Sequence, residues 1–225
     1  VVTISEECLA ILKEEFPQFK DKFYCIENIT SSAVIKARAK EFIPEEYKGY
    51  ENVILSVGRL SEQKGFDMAI SAASKLKKKG IKFKWFIIGS GSLKDKLNDQ
   101  IEKENVKDYV ELLGTKSNPY PYIKNCDIFI QPSRYEGKSV VIDEAKILAR
   151  PIIATAYPTV KDQIHNDNEG LIVELNVDGI VDGIVALCSD DTKKQQITEY
   201  LNRHEYGNQN EVKKYINLME GKMKI

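Results

Sequence analysis

Short apolar runs alternate with longer amphipathic segments from residue 52 onward. Runs such as VILSV at 53–57 and PIIAT at 151–155 are apolar almost throughout, as expected of strands that are covered on both faces. Segments such as FDMAISAASKLKKKG at 66–80 instead place their apolar residues at helical spacing and end in glycine. This alternation predicts an α/β, Rossmann-like three-layer domain with a mainly parallel, six-stranded sheet.

The predicted strands cover 53–57, 82–89, 109–114, 126–133, 151–155 and 170–175, and the predicted helices cover 66–80, 92–105, 139–149, 159–166 and 177–189. Ser92 is the expected N-cap of the second of these helices, because it follows the glycines of GSGS at a strand-to-helix turn.

The two ends of the chain have a different pattern. Residues 5–19 predict one amphipathic helix and residues 22–30 predict a strand, whereas residues 43–52 have the composition of a linker. The polar residues 191–225 predict a helical tail. This leaves residues 51–190 as the predicted core domain.

Composition excludes several classes of function. The chain has 225 residues, enough for one large domain or two small ones, and 33 Lys and Arg nearly balance 34 Asp and Glu, so nothing indicates a nucleic-acid partner. The four cysteines form no C-x-x-C pair and lie far from the two histidines, so metal-ligand spacing is not present, and a reducing cytoplasm is expected. No apolar run approaches the ~18 residues of a membrane span.

Glycines and charged residues follow the predicted strands at the point where each strand ends. Ligands of an open parallel sheet bind beyond these carboxyl ends, so we expect these residues to line one cleft. The candidates are Gly58, Arg59, Lys64, Gly89, Gly114, Glu136, Gly137, Lys138, Ser139, Val140 and Glu144.

The chemistry of these candidates suits a charged, hydroxyl-rich ligand. Arg59 and Lys64 can balance the charge of a diphosphate, and the amides that open the helix carrying Glu144 can bind an anion. Glu136 and Glu144 can accept hydrogen bonds from hydroxyl groups. The alternative is that the cations are surface residues of a turn and the glutamates are solvated acids. Tyr120, Tyr122 and Tyr135 are candidates either for stacking on a base or sugar or for ordinary packing.

The segments GRLSEQKGFDMAI, FIIGSGSLKDKL, EGKSVVIDEAK and GLIV together resemble the donor-binding half of a retaining glycosyltransferase of the GT-B type and family GT4. EGKSVVIDEAK followed by PTVKDQI resembles the bacterial branch of that family that builds capsule and other surface polysaccharides. The resemblance covers residues 50–190, and residues 1–50 resemble the segment that joins this half to an N-terminal acceptor domain, which the sequence does not contain.

The resemblance also implies roles for the candidate residues. Arg59 and Lys64 would contact the diphosphate and, with Glu136, form the catalytic set. Glu136 would bind sugar hydroxyls, Glu144 the ribose, and the amides of 138–140 the sugar and phosphate. No metal is expected. One departure is Lys138, since the commoner family form has an aromatic residue there, and this leaves the donor sugar open.

The function implied is transfer of a hexosyl group from a nucleotide sugar, expected to be a UDP-sugar, to a growing surface polysaccharide or lipid-linked acceptor. The expected partners are the nucleotide sugar, the saccharide or lipid-linked acceptor and the N-terminal domain. The expected location is the cytoplasm, with the N-terminal half attaching the enzyme to the inner face of the membrane. This chain alone is expected to transfer no sugar. Two alternatives remain open: a sugar-nucleotide epimerase of the same architecture, and a non-catalytic nucleotide-sugar-binding subunit that needs a partner chain.

Overall fold

The computed structural model describes residues 1–165 and 167–222. The strands are β1 Val2–Thr3, β2 Tyr24–Cys25, β3 Val53–Val57, β4 Lys84–Ile88, β5 Val110–Gly114, β6 Ile128–Gln131, β7 Ile152–Thr155 and β8 Leu171–Val173. The α-helices are α1 Glu6–Glu15, α2 Ser32–Arg38, α3 Phe66–Lys78, α4 Lys94–Lys103, α5 Tyr120–Asn125, α6 Val140–Ile147, α7 Val177–Cys188, α8 Asp191–Arg203 and α9 Glu211–Met219. Short 3₁₀ helices cover Pro17–Lys22, Glu45–Tyr47, Glu62–Lys64 and Val160–Asp162.

The central sheet has six strands in the order β5-β4-β3-β6-β7-β8, and every neighbouring pair is parallel. The predicted fold class is therefore confirmed. The chain runs outward from β3 through β4 to β5, then returns to place β6 on the other side of β3. The loops that leave β3 and β6 turn to opposite sides at this switch point, which opens a crevice beyond the carboxyl ends of the strands.

Apolar side chains alternate between two core clusters on the two faces of the sheet. Ile54 and its register partner Trp85 belong to the cluster under α3 and α7, whereas Leu55 and its partner Phe86 belong to the cluster under α2, α5 and α6. Trp85 is fully buried, and its Nε1 donates to Ser56 Oγ at 3.0 Å, so the one polar atom of this side chain is satisfied.

The core also takes residues from outside the predicted 51–190 domain. Ile197 and Leu201 of α8 join one cluster, and Ile35 and Tyr47 join the other. The division into 1–50, 51–190 and 191–225 stays a prediction, and residues 223–225 of the predicted tail lie outside the described residues.

Four local predictions were wrong. The helix expected over 5–19 ends at Glu15, because Pro17 cannot continue an α-helix, and a 3₁₀ helix follows it. Of the strand expected over 22–30, only Tyr24–Cys25 pairs, with β1. Leu93 rather than Ser92 holds the N-cap position of α4. The helix expected over 159–166 is one 3₁₀ turn, Val160–Asp162, and Asn166 lies outside the described residues.

Helix α2 lies in a stretch that had no predicted element. Ser31 caps it, since its Oγ accepts from Val34 N at 3.4 Å, and Ile35 is the one residue of the helix that is buried. One buried side chain is too little to give a periodic apolar signal. The helix nonetheless packs on α5 and α6 and so borders the carboxyl-end crevice.

Candidate functional site

The loops after β3 and β4 pack backbone against backbone at the carboxyl ends of the strands. Gly89 has a φ of +152°, and a Cβ built on it would lie 1.8 Å from the carbonyl oxygen of Gly58. Leu60 N donates to Ser90 O at 2.9 Å in the same contact. Only glycine allows this approach, so the two loops form a fixed floor made of main-chain atoms.

The loop after β3 also packs on the loop after β6. A Cβ on Gly65, whose φ is +66°, would lie 2.0 Å from Pro132 O, and Arg134 N donates to Gln63 O at 2.8 Å. This packing brings Lys64 Nζ to 2.6 Å from Glu136 Oε1. The structure thus joins two residues that the sequence separates by 72 positions and that were predicted to bind neighbouring parts of one ligand.

The Glu136 carboxylate is held by four donors. Oε1 accepts from Lys64 Nζ at 2.6 Å, Gln131 Nε2 at 2.8 Å and Ser133 Oγ at 2.6 Å. Among the described residues, Oε2 accepts from Gln63 Nε2 alone, at 3.2 Å. The side chain is 6% exposed. Oε1 has therefore used its capacity within the protein, whereas Oε2 can still accept from a ligand.

The cations around the crevice differ in how far they are already paired. Lys64 is paired with Glu136, Lys116 Nζ lies 2.9 Å from Glu46 Oε1, and Lys138 Nζ lies 2.5 Å from Glu27 Oε2. Arg59 is exposed, and its side chain has no hydrogen-bond or ion-pair partner in the described part of the chain. Arg59 can therefore bind an anion without first breaking an internal pair.

The pairing of Lys138 with Glu27 links the loop before α6 to the first thirty residues. Burial raises the pKa of Glu27, but the hydrogen bonds from Lys138 and Asn208 outweigh it and hold that pKa below its usual value. Glu27 is therefore ionised at neutral pH. Its carboxylate balances the charge of the Lys138 ammonium, whose side chain is 14% exposed.

Glu144 has the opposite environment to Glu136. Its side chain lies within α6, and burial raises its pKa to about 7, although a hydrogen bond from the Tyr120 hydroxyl lowers it somewhat. The Tyr120 ring in turn lies 5.4 Å from the Arg38 guanidinium of α2. Glu144 is thus close to half protonated at neutral pH and has a phenol as its neighbour. Of the other candidate tyrosines, Tyr122 is buried in the core and Tyr135 is exposed.

A cleft of about 270 Å³ lies beyond β3, β4 and β5. It is lined by Val57, Gly58, Arg59, Ile88, Gly89, Ser90, Thr115, Lys116 and Pro119. Gly114 supports it from below, since its carbonyl accepts from Gly89 N at 2.9 Å. The sequence indicated the glycines and Arg59 but not Lys116 or Pro119, which lie beyond the end of β5 in a stretch without a recognisable motif.

The start of α6 presents main-chain donors to the same edge of the sheet. Val140 and Val141 are its first two residues, so their amides have no carbonyl partner within the helix. The amide of Ser139 is already used, because it donates to Gln163 Oε1 at 2.8 Å. Gly137 lies against the N-terminal segment, where a Cβ would be 3.4 Å from Ile4 Cδ1.

In the ranges 1–165 and 167–222, no three or more His, Cys, Asp or Glu residues form a group that could hold a metal ion. None of the helices in these ranges is both long and apolar enough to span a bilayer.

The sheet order and the polar crevice at the switch point define an α/β domain of the Rossmann-like class. Residues 37–204 match the family described as glycosyl transferases group 1, and the chain belongs to this family.

Relatives of known name are similar to the chain over part of their own length. An uncharacterized glycosyltransferase of Methanocaldococcus jannaschii is 29% identical over 185 residues, which cover 81% of this chain and 44% of that protein. The N-acetylgalactosamine-N,N'-diacetylbacillosaminyl-diphospho-undecaprenol 4-alpha-N-acetylgalactosaminyltransferase of Campylobacter jejuni is 34% identical over 143 residues, which cover 63% of this chain and 38% of that protein. The chain thus spans less than half the length of each.

A solved structure has the same fold. The Staphylococcus aureus protein TarM, in complex with Fondaparinux, alpha-GlcNAc-glycerol and UDP, superposes with a TM-score of 0.82 at 23% identity. The match covers 97% of this chain and 43% of that one.

Proposed function

We propose that this domain binds the nucleotide-sugar donor of a retaining GT-B hexosyltransferase of family GT4, in the branch that builds bacterial capsule and other surface polysaccharides. Membership of the glycosyl transferases group 1 family supports the reaction class. The observation that carries the donor-binding role is the junction of Lys64 and Glu136 at 2.6 Å, beside the unpaired Arg59 and the open start of α6.

Each part of the donor has a complementary part of the site. Arg59 and Lys64 bind the diphosphate, and the amides of Val140 and Val141 add neutral donors at a helix N-terminus. Glu136 Oε2 accepts from a sugar hydroxyl. The base and ribose lie over the main-chain floor of Gly58, Gly89 and Gly114, with Glu144 accepting from the ribose diol. The places of the base, ribose and sugar are assigned from the order of these residues across the crevice, which runs from β5 over β4 and β3 to β6 and the helix α6 that follows it.

The reaction places demands on these cations. As the bond from the anomeric carbon to the diphosphate breaks, negative charge grows on the leaving phosphate oxygen, and fixed cations there stabilise it. Arg59 and Lys64 supply that charge. In a reaction that retains the anomeric configuration, the same phosphate oxygen can take the proton from the acceptor hydroxyl. Glu136 keeps Lys64 fixed during this step, because three internal bonds hold its Oε1.

Lys138 contributes through its main chain in this proposal. Its ammonium is paired with Glu27 and 14% exposed, so binding an acidic sugar would require breaking a short ion pair. A neutral hexose is therefore the favoured donor sugar.

In this proposal, the acceptor is bound by a separate, N-terminal half of the enzyme. A chain that spans less than half of its relatives supports an N-terminal acceptor domain that faces this crevice and docks through residues 1–50. Transfer needs the acceptor hydroxyl within about 3–3.5 Å of the anomeric carbon, and one wall of a cleft does not supply that. The acceptor is a growing surface polysaccharide or a lipid-linked saccharide, which places the whole enzyme at the cytoplasmic face of the membrane.

UDP is the proposed nucleotide, supported by the UDP bound to the fold neighbour TarM. A thermal-shift panel of UDP, GDP, ADP and TDP tests the choice. A ligand at 100 times its dissociation constant stabilises a protein by about 2.7 kcal/mol, so the preferred nucleotide should raise the melting temperature by several degrees. A panel in which no nucleotide changes the melting temperature would refute the donor-binding role, and a preference for another base would correct only the nucleotide.

A further inference from the structure

Gln163 is a buried glutamine whose side chain holds one peptide of the donor crevice. It follows the 3₁₀ turn Val160–Asp162 and is 2% exposed. Its Oε1 accepts from Ser139 N at 2.8 Å, and its Nε2 donates to Ser139 O at 2.8 Å. The side-chain amide thus pairs with both the main-chain N–H and the main-chain carbonyl of Ser139, as a neighbouring strand would.

Two further bonds tie the same glutamine to α6. Nε2 also donates to Asp143 Oδ1 at 3.1 Å, and the main-chain carbonyl of Gln163 accepts from Lys146 Nζ at 2.7 Å. Both polar atoms of the side chain are therefore engaged, and their partners are Ser139 and Asp143.

The start of α6 lacks its ordinary cap, which explains why it needs Gln163. Ser139 is the N-cap residue, and a serine there normally fixes the first turn by accepting from a helix amide through Oγ. Here Ser139 makes no such bond, and its Oγ is buried without a partner among the described residues. Gly137, two residues earlier, adds a residue with few conformational restraints. The side chain of Gln163 instead fixes the peptide of the N-cap residue itself and leaves the amides of Val140 and Val141 free.

We propose that Gln163 is a positioning residue for the diphosphate of the donor. It touches no ligand; it fixes the Ser139 peptide, and with it the direction of the free amides of Val140 and Val141 that follow. This inference rests on the proposed function, because it gives those amides a phosphate to hold. Gln163 lies 19 residues beyond Glu144, outside the glutamate motif that marks the site in the sequence.

The charge at this position is as important as its shape. The charged and titratable groups around Gln163 and Asp143 include Lys138, Lys146, Glu27, Glu144, Glu169 and Tyr157. Asp143 is itself buried, and burial raises its pKa. A carboxylate in place of the amide would face Asp143 and the Ser139 carbonyl, whereas a protonated carboxyl group could still donate one hydrogen bond. Gln163→Glu should therefore keep hydrogen bonds to Ser139 at low pH, where the new carboxyl group is protonated, and lose them at high pH, where it is ionised.

The test is the affinity for UDP and for uridine, measured by calorimetry at about pH 6 and about pH 8.5. Relative to the wild type at the same pH, Gln163→Glu should bind UDP within about threefold at the lower pH and at least about tenfold more weakly at the higher one. Gln163→Met, which removes the hydrogen bonds without adding charge, should be weakened similarly at both. Uridine, which has no phosphate, should bind all three proteins alike.

Gln195→Glu is the matched control, since it adds the same charge beside Glu199 on the exposed face of α8 and should leave binding unchanged. Near-ultraviolet circular dichroism at each pH verifies folding. A ligand-free measurement stands beside these: the Ser139 amide should exchange slowly in the wild type and much faster in Gln163→Met.

The outcomes separate the two claims. A wild type that binds no nucleoside diphosphate removes the proposed function and this inference with it. A wild type that binds UDP while both Gln163 variants match it at both pH values overturns the inference alone. Equal loss of uridine and UDP affinity, or a Ser139 amide that exchanges fast in the wild type, also overturns it.

Discussion

The two glutamates of the site have different surroundings. Glu136 is held by a lysine and three neutral donors. Glu144 is about equally hidden from solvent, but its hydrogen-bond donor is a single phenol, and burial raises its pKa to about 7. Identical side chains eight positions apart therefore have different hydrogen-bond partners.

The raised pKa of Glu144 makes stability depend on pH. An ordinary glutamate has a pKa near 4.5, so the folded chain holds a proton that the unfolded chain releases as the pH rises from there to about 7. The stability that this proton contributes to the folded chain is present below pH ~4.5 and lost above pH ~7, and it is on the order of 3 kcal/mol. Glu144→Gln should remove this loss, so the variant gains stability relative to the wild type between pH 5 and pH 8.

Urea unfolding at these two pH values measures the difference. Other titrating groups cancel in the comparison of wild type and variant, and Glu102→Gln on the exposed face of α4 is the control that should show no change. Parallel stability curves for the wild type and Glu144→Gln would contradict the raised pKa.

The same two residues should divide the recognition of the donor. Glu144→Gln should weaken UDP and its sugar conjugate alike, by about tenfold, because the ribose is common to both. Glu136→Gln should weaken only the conjugate, since it removes the charge of the proposed acceptor for a sugar hydroxyl, while the amide oxygen can still accept from Lys64. Competition binding of UDP and UDP-glucose to the two variants measures this, and equal loss of both ligands in both variants would rule out the division.

At the scale of single residues, the sequence predicted the site residues that follow strand ends, but it did not predict which residues pair with them. Arg59, Lys64 and Glu136 stand in turns after apolar runs, where a parallel sheet exposes them. Glu27 and Gln163 pair with the crevice across 111 and 24 residues of chain, and no local pattern specifies such contacts. Neither residue was a candidate, since Glu27 stands in the predicted strand 22–30 and Gln163 in the predicted helix 159–166.

At the scale of elements, close main-chain packing of the strand-end loops builds the site. The prediction of the strands succeeded because six apolar runs are long and uninterrupted. The failures were elements with little apolar signal, such as α2, and the overextended α1, where Pro17 overrides amphipathicity. The contact between the β3 and β4 loops has no hydrophobic signature at all, only the glycines that permit it.

Gly89→Ala tests that contact. The new Cβ would meet Gly58 O at 1.8 Å, so the two loops must separate, and we expect a loss of more than about 3 kcal/mol together with weaker UDP binding. Gly80→Ala is the matched control: its φ of +74° is also positive, but nothing lies within 4 Å, so only the backbone cost of about 1–2 kcal/mol applies. Thermal unfolding of both variants compares them, and equal losses would mean that the close approach does not matter.

At the scale of the whole molecule, residues 27–30 and the segment after α8 meet beside the crevice. Asn208 Oδ1 accepts from Thr30 N at 2.7 Å, and its Nδ2 donates to Glu27 Oε2 at 3.0 Å and Asn28 O at 2.9 Å. Glu27 in turn holds Lys138. The segment after α8 thus fixes the first thirty residues against the loop that opens α6.

Asn208→Ala should loosen this connection without unfolding the core. Loss of these hydrogen bonds leaves the Thr30 amide and the Glu27 carboxylate with fewer partners, so amides of residues 1–30 should exchange at least about tenfold faster. Amides of β3 and β6 should keep their protection. Asn217→Ala, on the exposed face of α9, is the control. Unchanged exchange in residues 1–30 would show that Asn208 does not hold these residues against the segment after α8.

The central claim is that the crevice binds a nucleoside diphosphate through Arg59, Lys64 and the start of α6. Calorimetric titration of UDP into the wild type, Arg59→Ala, Lys64→Ala and, as a surface control, Lys96→Ala tests it most directly. We expect one site in the wild type, unchanged binding in the control, and a loss on the order of 1.5–3 kcal/mol for each of the other two variants. Wild-type affinity in both Arg59→Ala and Lys64→Ala would contradict the account.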